Sequence, residues 1–278
     1  MKVLPFKIPK PETHAFVFQI DKEVVFYDKL HQHEDIQISY ILVGEGALVV
    51  GDTITHYKSG DIIVIGGNLP HVFKSEPSTK QSHMLSIFFT KDAFGKTFFE
   101  LPELSQTKPF FKRCKQGFKL TTNIRPVQER FLMFEKTSKI EQFILLLEIM
   151  KLASSAGYKS LSSFIYEKTY SDNEGKRMQD VVEYTMNNYK NNISLDSISE
   201  IANMTKNAFC KYFKKRTNKT YIQFLNELRI EQAQKLLQSD TDLSITEIAE
   251  LCGFNNISHF NRQFKAIKKT SPSKIKNK

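Results

Sequence analysis

The sequence predicts a two-domain α+β protein, with a small β-barrel and appended helices in its N-terminal part and an all-α domain at its C-terminal end. Short apolar runs with turn residues between them fill residues 15–89, which is the pattern of a barrel or sandwich. Apolar residues at helical spacing fill the C-terminal part. A polar, serine-rich stretch separates the two regions. We therefore predict an N-terminal domain over residues 1–160, a linker over 161–175 and a C-terminal domain over 176–278.

Length and composition are typical of a globular protein of the cytoplasm. The 278 residues are 40% apolar and 12% aromatic, which is enough to bury a core in each domain. No run of about 18 apolar residues occurs, and the first residues lack the apolar segment of a secretory signal. The three cysteines (Cys114, Cys210 and Cys252) are far apart, so we expect free thiols in a reducing compartment. These features predict a cytoplasmic protein with no membrane partner.

The positive charge is concentrated in the C-terminal domain. The whole chain has a formal net charge of +10. Residues 175–278 contain 18 lysines and arginines against 10 aspartates and glutamates, a net charge of +8, whereas residues 1–174 have a net charge of +2. A basic domain beside a near-neutral one favours a polyanion as its partner. A solvated basic surface has the same composition, so the charge alone does not identify DNA.

Six strands are predicted in the N-terminal domain, because turn residues interrupt its apolar runs at short intervals. Turns are expected at Asp21-Lys22, Gly44-Glu45-Gly46, Gly51-Asp52 and Ser59-Gly60-Asp61. The predicted strands are Ala15–Ile20, Val24–Tyr27, Ile36–Val43, Ala47–Val50, Ile62–Ile65 and Met84–Phe89.

A long apolar tract, Arg125–Ser155, predicts helices after the barrel. Pro126 suits a first helical turn, and the polar run Lys136-Thr137-Ser138 divides the tract into two antiparallel helices. The tract has more apolar surface than one helix stripe requires. These helices cover the barrel, or they pair with a second copy of the chain, and the sequence leaves both uses open.

A repeated pair of helices organises the C-terminal domain. Ile198–Phe213 and Ile245–Phe264 each contain an apolar-rich helix, a turn at Asn203 or Gly253, a polar cap and a second helix with an aromatic back. Such a unit is typical of a helix-turn-helix motif. The predicted helices are Met178–Tyr189, Asp196–Ala202 after Ser194, Lys206–Lys215 after Thr205, Tyr221–Gln238, and two between Ser244 and Ile275.

The second helix of each pair combines an apolar back with a polar front. Polar and basic side chains of this kind bond to base edges and phosphates in a DNA major groove. One such helix is also compatible with a solvated surface, but two in one basic domain favour DNA. In the C-terminal pair the apolar stripe is Ile257, Phe260, Phe264 and Ile267, and the polar front is Asn255, Ser258, Arg262 and Lys265 with His259 on its flank.

Two patterns in the barrel region resemble the cupin motifs. The first runs from His31-Gln32-His33 through Gln37 to Gly44-Glu45-Gly46, and the second is Gly60-Asp61 followed by His71. In enzymatic cupins the corresponding two histidines, glutamate and third histidine bind a metal. Here the glutamate position holds Gln37, a poor ligand for a divalent ion, so we predict no metal, no cofactor and no catalytic residues. His31, His33, Gln37 and His71 are instead the candidate residues of an effector pocket. Three imidazoles can bind zinc in principle, and simple hydrogen bonding at the barrel mouth is the third alternative.

The C-terminal domain resembles the AraC/XylS family of bacterial transcription regulators. The resemblance rests on Asn203-Met204-Thr205, Ala208 to Arg216, Leu228-Arg229-Ile230, Ile245 to Phe254, Phe260 to Lys265 and Thr270-Ser271-Pro272. The family implies two helix-turn-helix units, joined by Tyr221–Gln238, that enter successive major grooves about 34 Å apart. The first unit departs from the family by having Ser199 and Asn203 where many members have Ala and Gly.

The resemblance also implies roles for individual residues of the two units. Arg262 is the strongest candidate for guanine recognition, because Arg binds guanine through two hydrogen bonds. Arg229, in the middle of the joining helix, is expected to make a structural salt bridge. The candidate base-reading residues are Asn207, Cys210, Lys211, Asn256, Ile257, Ser258, His259 and Arg262, and the candidate phosphate contacts are Lys206, Lys214, Lys215 and Lys265.

These predictions together describe a sequence-specific DNA-binding transcription regulator, most simply an activator that responds to a small molecule. Its expected partners are double-stranded DNA, RNA polymerase, a small-molecule effector and a second copy of the chain. Two alternatives remain at this point. One is a metal-dependent cupin enzyme fused to a DNA-binding domain, which Gln37 disfavours. The other is a regulator whose N-terminal half only dimerises.

Overall fold

The structure is a computed structural model that describes residues 14–76, 81–165, 172–239 and 241–276, with only the backbone of 172–174. The chain divides into two compact units, Met1–Asn173 and Glu174–Lys278. The first is rich in sheet and the second is helical, so the predicted α+β class is confirmed. The predicted domain borders stay predictions, and residues 166–171 of the predicted linker lie outside the described residues.

Two antiparallel sheets form the barrel of the first unit. The larger sheet has the order β1-β7-β2-β5-β8-β9 and the smaller one the order β4-β3-β6. The strands are β1 Phe16–Glu23, β2 Ile36–Val43, β3 Gly46–Val50, β4 Thr53–Tyr57, β5 Ile62–Ile65, β6 His71–Ser75, β7 Ser82–Phe89, β8 Phe118–Leu120 and β9 Tyr158–Ser160.

The larger sheet is buried on both faces, as the composition of β5 shows. In β5, Ile62 and Val64 pack toward helices, whereas Ile63 and Ile65 pack into the barrel against the smaller sheet. Successive side chains of a strand point to opposite faces, so a strand covered on both sides is apolar throughout. The same alternation in β2 sends Ile36 and Ile38 to the helices, so that the intervening Gln37 and Ser39 face the barrel.

Three helices of the first unit cover the outer face of this sheet. They are α1 Lys108–Cys114, α2 Ile124–Met133 and α3 Lys139–Ser155, and short 3-10 segments precede α1 and follow α2. Ser138 caps α3 through a capping box with Glu141. The predicted division of the apolar tract at Lys136-Thr137-Ser138 is therefore confirmed. Leu145, Leu146 and Ile149 are buried with the sheet residues, so α3 does cover the barrel.

Two local predictions in the barrel are wrong. Val24–Tyr27 is not a strand: Phe26 is buried in the barrel and its N–H is bonded to the Ser75 Oγ, while Val24, Val25 and Tyr27 are exposed. Asp21-Lys22 is not a turn but the continuation of β1, paired with Met84 and His83 of β7. The strands β4, β6, β8 and β9 were not predicted, because their polar residues, such as Thr53, Thr55 and Lys74, hide the apolar alternation.

The second unit is all-α in its described residues. Its helices are α4 Asp172–Asn188, α5 Leu195–Ile201, α6 Lys206–Thr217, α7 Tyr221–Gln238, α8 Ile245–Leu251, α9 Ile257–Lys268 and α10 Pro272–Lys276. Ser194 and Thr205 cap α5 and α6 as predicted, and α7 has the predicted bounds. Helix α4 begins before the predicted Met178, because the polar run ahead of that residue has no apolar periodicity to reveal a helix.

The turns of the two predicted helix-turn-helix units have the same backbone geometry. Both Asn203 (φ 51°) and Gly253 (φ 85°) are left-handed, as predicted. In the first turn the N–H groups of Asn203 and Met204 donate to the carbonyls of Glu200 and Ser199. In the second, the N–H groups of Gly253 and Phe254 donate to Glu250 and Ala249 in the same pattern. This bonding closes the C-terminus of each first helix and directs the chain into the second.

Candidate DNA-binding surface and barrel cavity

Helix α6 presents one polar face and buries the other. Thr205 begins the helix by accepting a hydrogen bond from the N–H of Ala208. Phe209 and Phe213, one turn apart, are fully buried and pack against Tyr221 of α7. The face away from this core contains all the sequence-predicted residues of the first unit, and each is exposed: Lys206, Asn207, Cys210, Lys211, Lys214 and Lys215.

Helix α9 repeats this arrangement in the second unit. Asn256 begins the helix by accepting a hydrogen bond from the N–H of His259 (2.9 Å), and Phe260 and Phe264 are buried like their counterparts in α6. Because Asn256 uses its side-chain oxygen as a cap, its amide nitrogen is the group that is free to reach DNA. The exposed sequence-predicted residues of this unit are Asn255, Asn256, Ile257, Ser258, Arg262 and Lys265.

Ile257 differs from its predicted place in the apolar stripe of α9, whereas His259 lies on the flank of the polar front, as predicted. Ile257 is 37% exposed and is not part of the buried apolar stripe. It lies in the first turn of the helix, ahead of the point where Phe260 meets the core. His259 is half-buried, with its ring 5.7 Å from that of Phe254 in an edge-on arrangement. The side chain of His259 is therefore oriented by Phe254 at the edge of the exposed face.

Helices α6 and α9 can be aligned by their N-cap residues and by the two phenylalanines that each buries. Thr205, Phe209 and Phe213 of α6 correspond to Asn256, Phe260 and Phe264 of α9. The same alignment places Lys211 at the position of Arg262, and both side chains are exposed. Each unit thus has a long basic side chain at the same point of its exposed helix face.

Ion pairing separates the structural lysines from those that face solvent. Lys219 pairs with Glu227 of α7 at 2.7 Å, and Lys268 pairs with Glu231 of the same helix. Lys206 pairs with Asp196 at 3.0 Å on the surface. Within the part of the chain that the structure describes, no acidic partner neutralises the side chains of Lys211, Lys214, Lys215, Arg262 and Lys265.

Arg229 of α7 has the predicted structural role, but the predicted salt bridge is wrong. Its guanidinium donates to the carbonyl oxygens of Tyr189 and Asn191, each at 2.8 Å, just beyond the C-terminus of α4. It also lies 5.7 Å above the ring of Phe254. A cation at a helix C-terminus satisfies carbonyl groups that have no partner within the helix. Arg229 therefore joins α4 to the turn of the second unit.

In the first unit, strand pairing brings three histidines together. His31 and His71 form an isolated antiparallel bridge, with mutual backbone hydrogen bonds of 3.0 and 2.8 Å. Their rings are 4.3 Å apart, and that of His33 lies 5.0 Å from that of His71. One ring nitrogen of each of the three residues lies within 4.8 Å of those of the other two.

The three imidazoles are held by the backbone in one tautomer. Each Nδ1 is 2.8 Å from a carbonyl oxygen, that of Lys29 for His31, Asp35 for His33 and Leu69 for His71. A carbonyl accepts only, so each Nδ1 carries the proton. Burial lowers the pKa of His31 to about 4 and also lowers the pKa of His33 and, most strongly, that of His71. All three rings are therefore neutral near pH 7, with Nε2 as an acceptor.

The fourth predicted pocket residue, Gln37, joins this cluster from β2. Its Oε1 lies 3.3 Å from the Nε2 of His33, and its Nε2 donates to the Ser39 Oγ at 2.9 Å. Ser39 in turn shares a 2.9 Å hydrogen bond with Ser86 of β7. All of these residues face the barrel interior.

A small cavity that opens to solvent lies beside the cluster. His31, Gln37 and His71 line it, whereas His33 does not. Sequence reasoning missed its other polar side, formed by Gln19, Asp21 and Glu23 of β1. Their spacing of two residues is the signal of one strand face, but the interpretation of Asp21-Lys22 as a turn concealed it. Burial raises the pKa of Asp21, which is hydrogen-bonded to Gln19.

The cluster fits the metal site that the cupin resemblance implies, apart from one ligand. Histidine ligands typically donate Nδ1–H to a carbonyl or carboxylate and bind the metal through Nε2, as all three do here. The Nε2 of His71 is buried and has no hydrogen-bond partner among the described residues. If loaded, His31, His33 and His71 would hold the ion, with Gln37 in the position of the carboxylate.

Known proteins resemble each unit. Residues 198–278 match a helix-turn-helix domain family and residues 9–88 match the cupin domain family. The HTH-type transcriptional regulator YdeC of Bacillus subtilis is 23% identical over 92% of this chain and 89% of its own length. The HTH-type transcriptional activator RhaS of Pectobacterium carotovorum is 28% identical over 40% of either chain. A transcriptional regulator structure from Chromobacterium violaceum, with an AraC-type DNA-binding domain, covers 37% of this chain and 90% of its own at 24% identity and a TM-score of 0.35.

The two helix pairs and the barrel thus define a DNA-binding regulator with a helix-turn-helix domain and a cupin domain. The chain has an AraC-type helix-turn-helix domain and a cupin domain, and its homologues RhaS and YdeC are AraC/XylS-family regulators. Among the described residues, no helix is both long enough and apolar enough to span a membrane.

Proposed function

We propose that this regulator is a cytoplasmic transcription activator that binds two successive major grooves through α6 and α9. The observation that carries the proposal is the repeated geometry of the two units, with the same turn, capped second helix and exposed basic face. One such helix contacts only part of a helical turn of DNA. Two in one basic unit provide the bipartite contact that reading a long operator requires.

The two helix faces divide into base-reading and phosphate-binding residues. We assign Arg262 and its counterpart Lys211 to base edges, since both can bind guanine and both are exposed at equivalent points. Ser258, His259, Asn255 and the amide nitrogen of Asn256 provide further polar groups beside Arg262. The lysines nearer the C-terminal ends of the helices, Lys214, Lys215 and Lys265, are assigned to phosphates.

We assign the barrel to sensing rather than to catalysis. Its cavity combines polar groups on two sides with apolar side chains such as Phe26, Phe73 and Phe88, which is the usual composition of a small-molecule site. The relatives of the chain are transcription regulators. Gln37 stands where a cupin enzyme would have a carboxylate, and an amide does not act as a proton acceptor at neutral pH.

Activation is the sign of regulation that we propose, with RNA polymerase as the partner at the promoter. RhaS, to which the C-terminal unit is similar, is a transcriptional activator. Polymerase contacts would use surfaces other than the basic faces of α6 and α9, which we assign to DNA.

Selection of bound sites from random DNA tests the DNA-binding proposal and the sensor together. We expect a bipartite site with two conserved halves about one helical turn apart, and a change in affinity when an effector fills the cavity. The selection is run on the full chain with and without candidate metabolites, and with Glu23→Ala as a cavity variant. Recovery of unrelated sequences would contradict specific recognition, and enrichment of a single short half-site would contradict the use of both helices.

A further inference from the structure

We infer that the barrel cavity binds a small organic cation, an ammonium or amidinium group on an aromatic or branched alkyl body. The cation faces the carboxylates of Asp21 and Glu23, and its N–H groups reach the acceptor nitrogen of His71. This ligand class belongs to the cavity that we propose as the sensor, so the inference rests on the proposed function.

Strand β1 places two carboxylates on the wall of the cavity. Phe18 and Ile20 pack with the core beneath the helices, so the alternate residues Gln19, Asp21 and Glu23 face the cavity, which they line. In the part of the chain that the structure describes, neither carboxylate forms an ion pair. The described residues that line the cavity include no lysine and no arginine. The wall therefore has negative charge without a counterion.

The two carboxylates also influence each other. Burial and, to a smaller extent, the negative charge of Glu23 raise the pKa of Asp21, although the 2.6 Å hydrogen bond from Gln19 favours the ionised form. Removing a carboxylate from water and placing it beside a like charge both disfavour its ionisation. A cation in the cavity would offset both effects, whereas an anion would add to them.

The smaller sheet adds a buried hydrogen-bond acceptor to the same wall. His71 of β6 is fully buried, and its Nε2 has no hydrogen-bond partner among the described residues. Its Nδ1 lies 2.8 Å from the carbonyl oxygen of Leu69, so Nδ1 carries the proton and Nε2 accepts. A ligand N–H would satisfy this acceptor, whereas a ligand carboxylate would not. Gln37 suits either kind of ligand group, because an amide side chain can present a donor or an acceptor.

Aromatic side chains form the apolar part of the wall. Phe26, Phe73 and Phe88 line the cavity, and the rings of Phe26 and Phe73 meet edge-on with their centroids 6.4 Å apart. Aromatic rings bury apolar groups and attract cations to their faces. A cation with an aromatic or branched alkyl body matches both the charged and the apolar parts of this wall. A linear polyamine would leave the apolar part without a matching group.

Calorimetric titration of the full chain with matched ligands tests the inference. The probes are phenethylamine and isoamylamine, the two corresponding alcohols, the carboxylates phenylacetate and isovalerate, and glucose as a neutral sugar. Every titration contains EDTA, so that an amine cannot bind through a metal ion. We expect at least one of the amines to bind with one molecule per chain, about tenfold or more tightly than its alcohol. The carboxylates should give no binding.

Variants that remove one charge each locate the bound amine. Asp21→Asn keeps an oxygen that can accept the hydrogen bond from Gln19, and Glu23→Gln changes an exposed side chain, so both variants should fold. Each should weaken amine binding by about tenfold, because one carboxylate no longer attracts the cation. Glu103→Gln is the matched control, since it removes one negative charge from an exposed residue outside the cavity. It should leave amine binding unchanged.

Three results would each overturn the inference: no binding by either amine, equal or tighter binding of an alcohol, a carboxylate or glucose, or unchanged amine affinity in both Asp21→Asn and Glu23→Gln. The proposed function is judged separately, by selection of bound DNA sites with the same protein. A chain that selects a bipartite operator but binds no amine would leave the DNA-binding proposal standing. An operator affinity that responds to an alcohol or a carboxylate would leave the sensor standing and remove only the cation.

Discussion

Among single residues, we expect DNA recognition to depend on a few exposed basic side chains that are not paired with acidic residues. Lys219 and Lys268 form ion pairs with glutamates of α7, so their charges are neutralised within the protein. Arg262 has no such acidic partner among the described residues, and its counterpart Lys211 has the same freedom. We therefore expect loss of specificity from changes at these two positions rather than from changes at the paired lysines.

Replacing Arg262 by alanine should weaken binding to the selected operator by about 1–3 kcal/mol and relax the preference at one base pair. The reason is the loss of a bidentate contact to a base edge. Competition binding against operators altered at each position measures both effects. Lys215→Ala, at a proposed phosphate contact, should weaken binding to all sequences alike. A preference pattern that stays the same in Arg262→Ala would show that this arginine does not read a base.

Among the elements, the turn of the second helix-turn-helix unit is constrained both by its backbone conformation and by close contacts. Gly253 has φ 85°, and a Cβ there would lie 2.7 Å from the carbonyl oxygen of Tyr189 and 3.0 Å from Nε of Arg229. The glycine is needed both for its left-handed backbone and for the close approach of α4. Asn203, in the first turn, needs only the left-handed backbone, which explains why a non-glycine residue is accepted there.

Gly253→Ala should lower the free energy of unfolding by about 2–3 kcal/mol. The new methyl group strains the left-handed backbone and pushes against the Tyr189 carbonyl oxygen and the Arg229 side chain that is hydrogen-bonded to it. Gly95→Ala is a matched control: Gly95 also has positive φ, but a Cβ there would meet nothing within 4 Å. Denaturant unfolding of the full chain, followed by circular dichroism, compares the two variants. Equal destabilisation would mean that the backbone conformation alone matters and that the contact with α4 is unimportant.

Helix α3 of the first unit has apolar side chains that the fold leaves exposed. Its buried face covers the barrel, but Ile140 and Ile144, on a second face, are 65% and 50% exposed. Residues four apart lie on the same side of a helix, and an exposed apolar face of this kind is typical of an interface. We propose that this face pairs with the same face of a second copy.

Ile140→Glu combined with Ile144→Glu should convert a dimer into a monomer, because it places charges on the pairing face of each copy. Sedimentation at several protein concentrations measures the change. Lys58→Glu, an exposed change between β4 and β5 and away from α3, serves as the control for altered surface charge. A wild-type chain that is monomeric at all concentrations would remove the interface from the proposal.

At the scale of the whole molecule, the asymmetric charge predicts how binding depends on salt. Three of the unpaired basic side chains on the two helix faces among the described residues are assigned to phosphates: Lys214, Lys215 and Lys265. If each neutralises one phosphate, the logarithm of the binding constant should fall with the logarithm of salt with a slope of about −3. Binding measured between 50 and 200 mM salt should then weaken by roughly fortyfold. A slope near zero would contradict phosphate contact by these residues.

The helical unit is almost completely predictable from local signals in the chain. The caps Ser194, Thr205 and Ser244, the turn residues and the spacing of Phe209 with Phe213 and of Phe260 with Phe264 are all local signals, readable within a few residues. For this reason α7 and the two helix pairs have bounds close to those predicted, and the family resemblance followed from the same residues.

The barrel cavity could not be predicted in the same way, because contacts between distant segments form it. His31 and His71 are far apart in the chain and meet through a backbone bridge, and Gln19, Asp21 and Glu23 become one face only because β1 continues past its predicted end to pair with β7. Arg229 likewise binds carbonyl oxygens of a distant helix end rather than a carboxylate. Helical periodicity and capping are local, whereas strand register and long-range hydrogen bonds depend on which distant segments pack together.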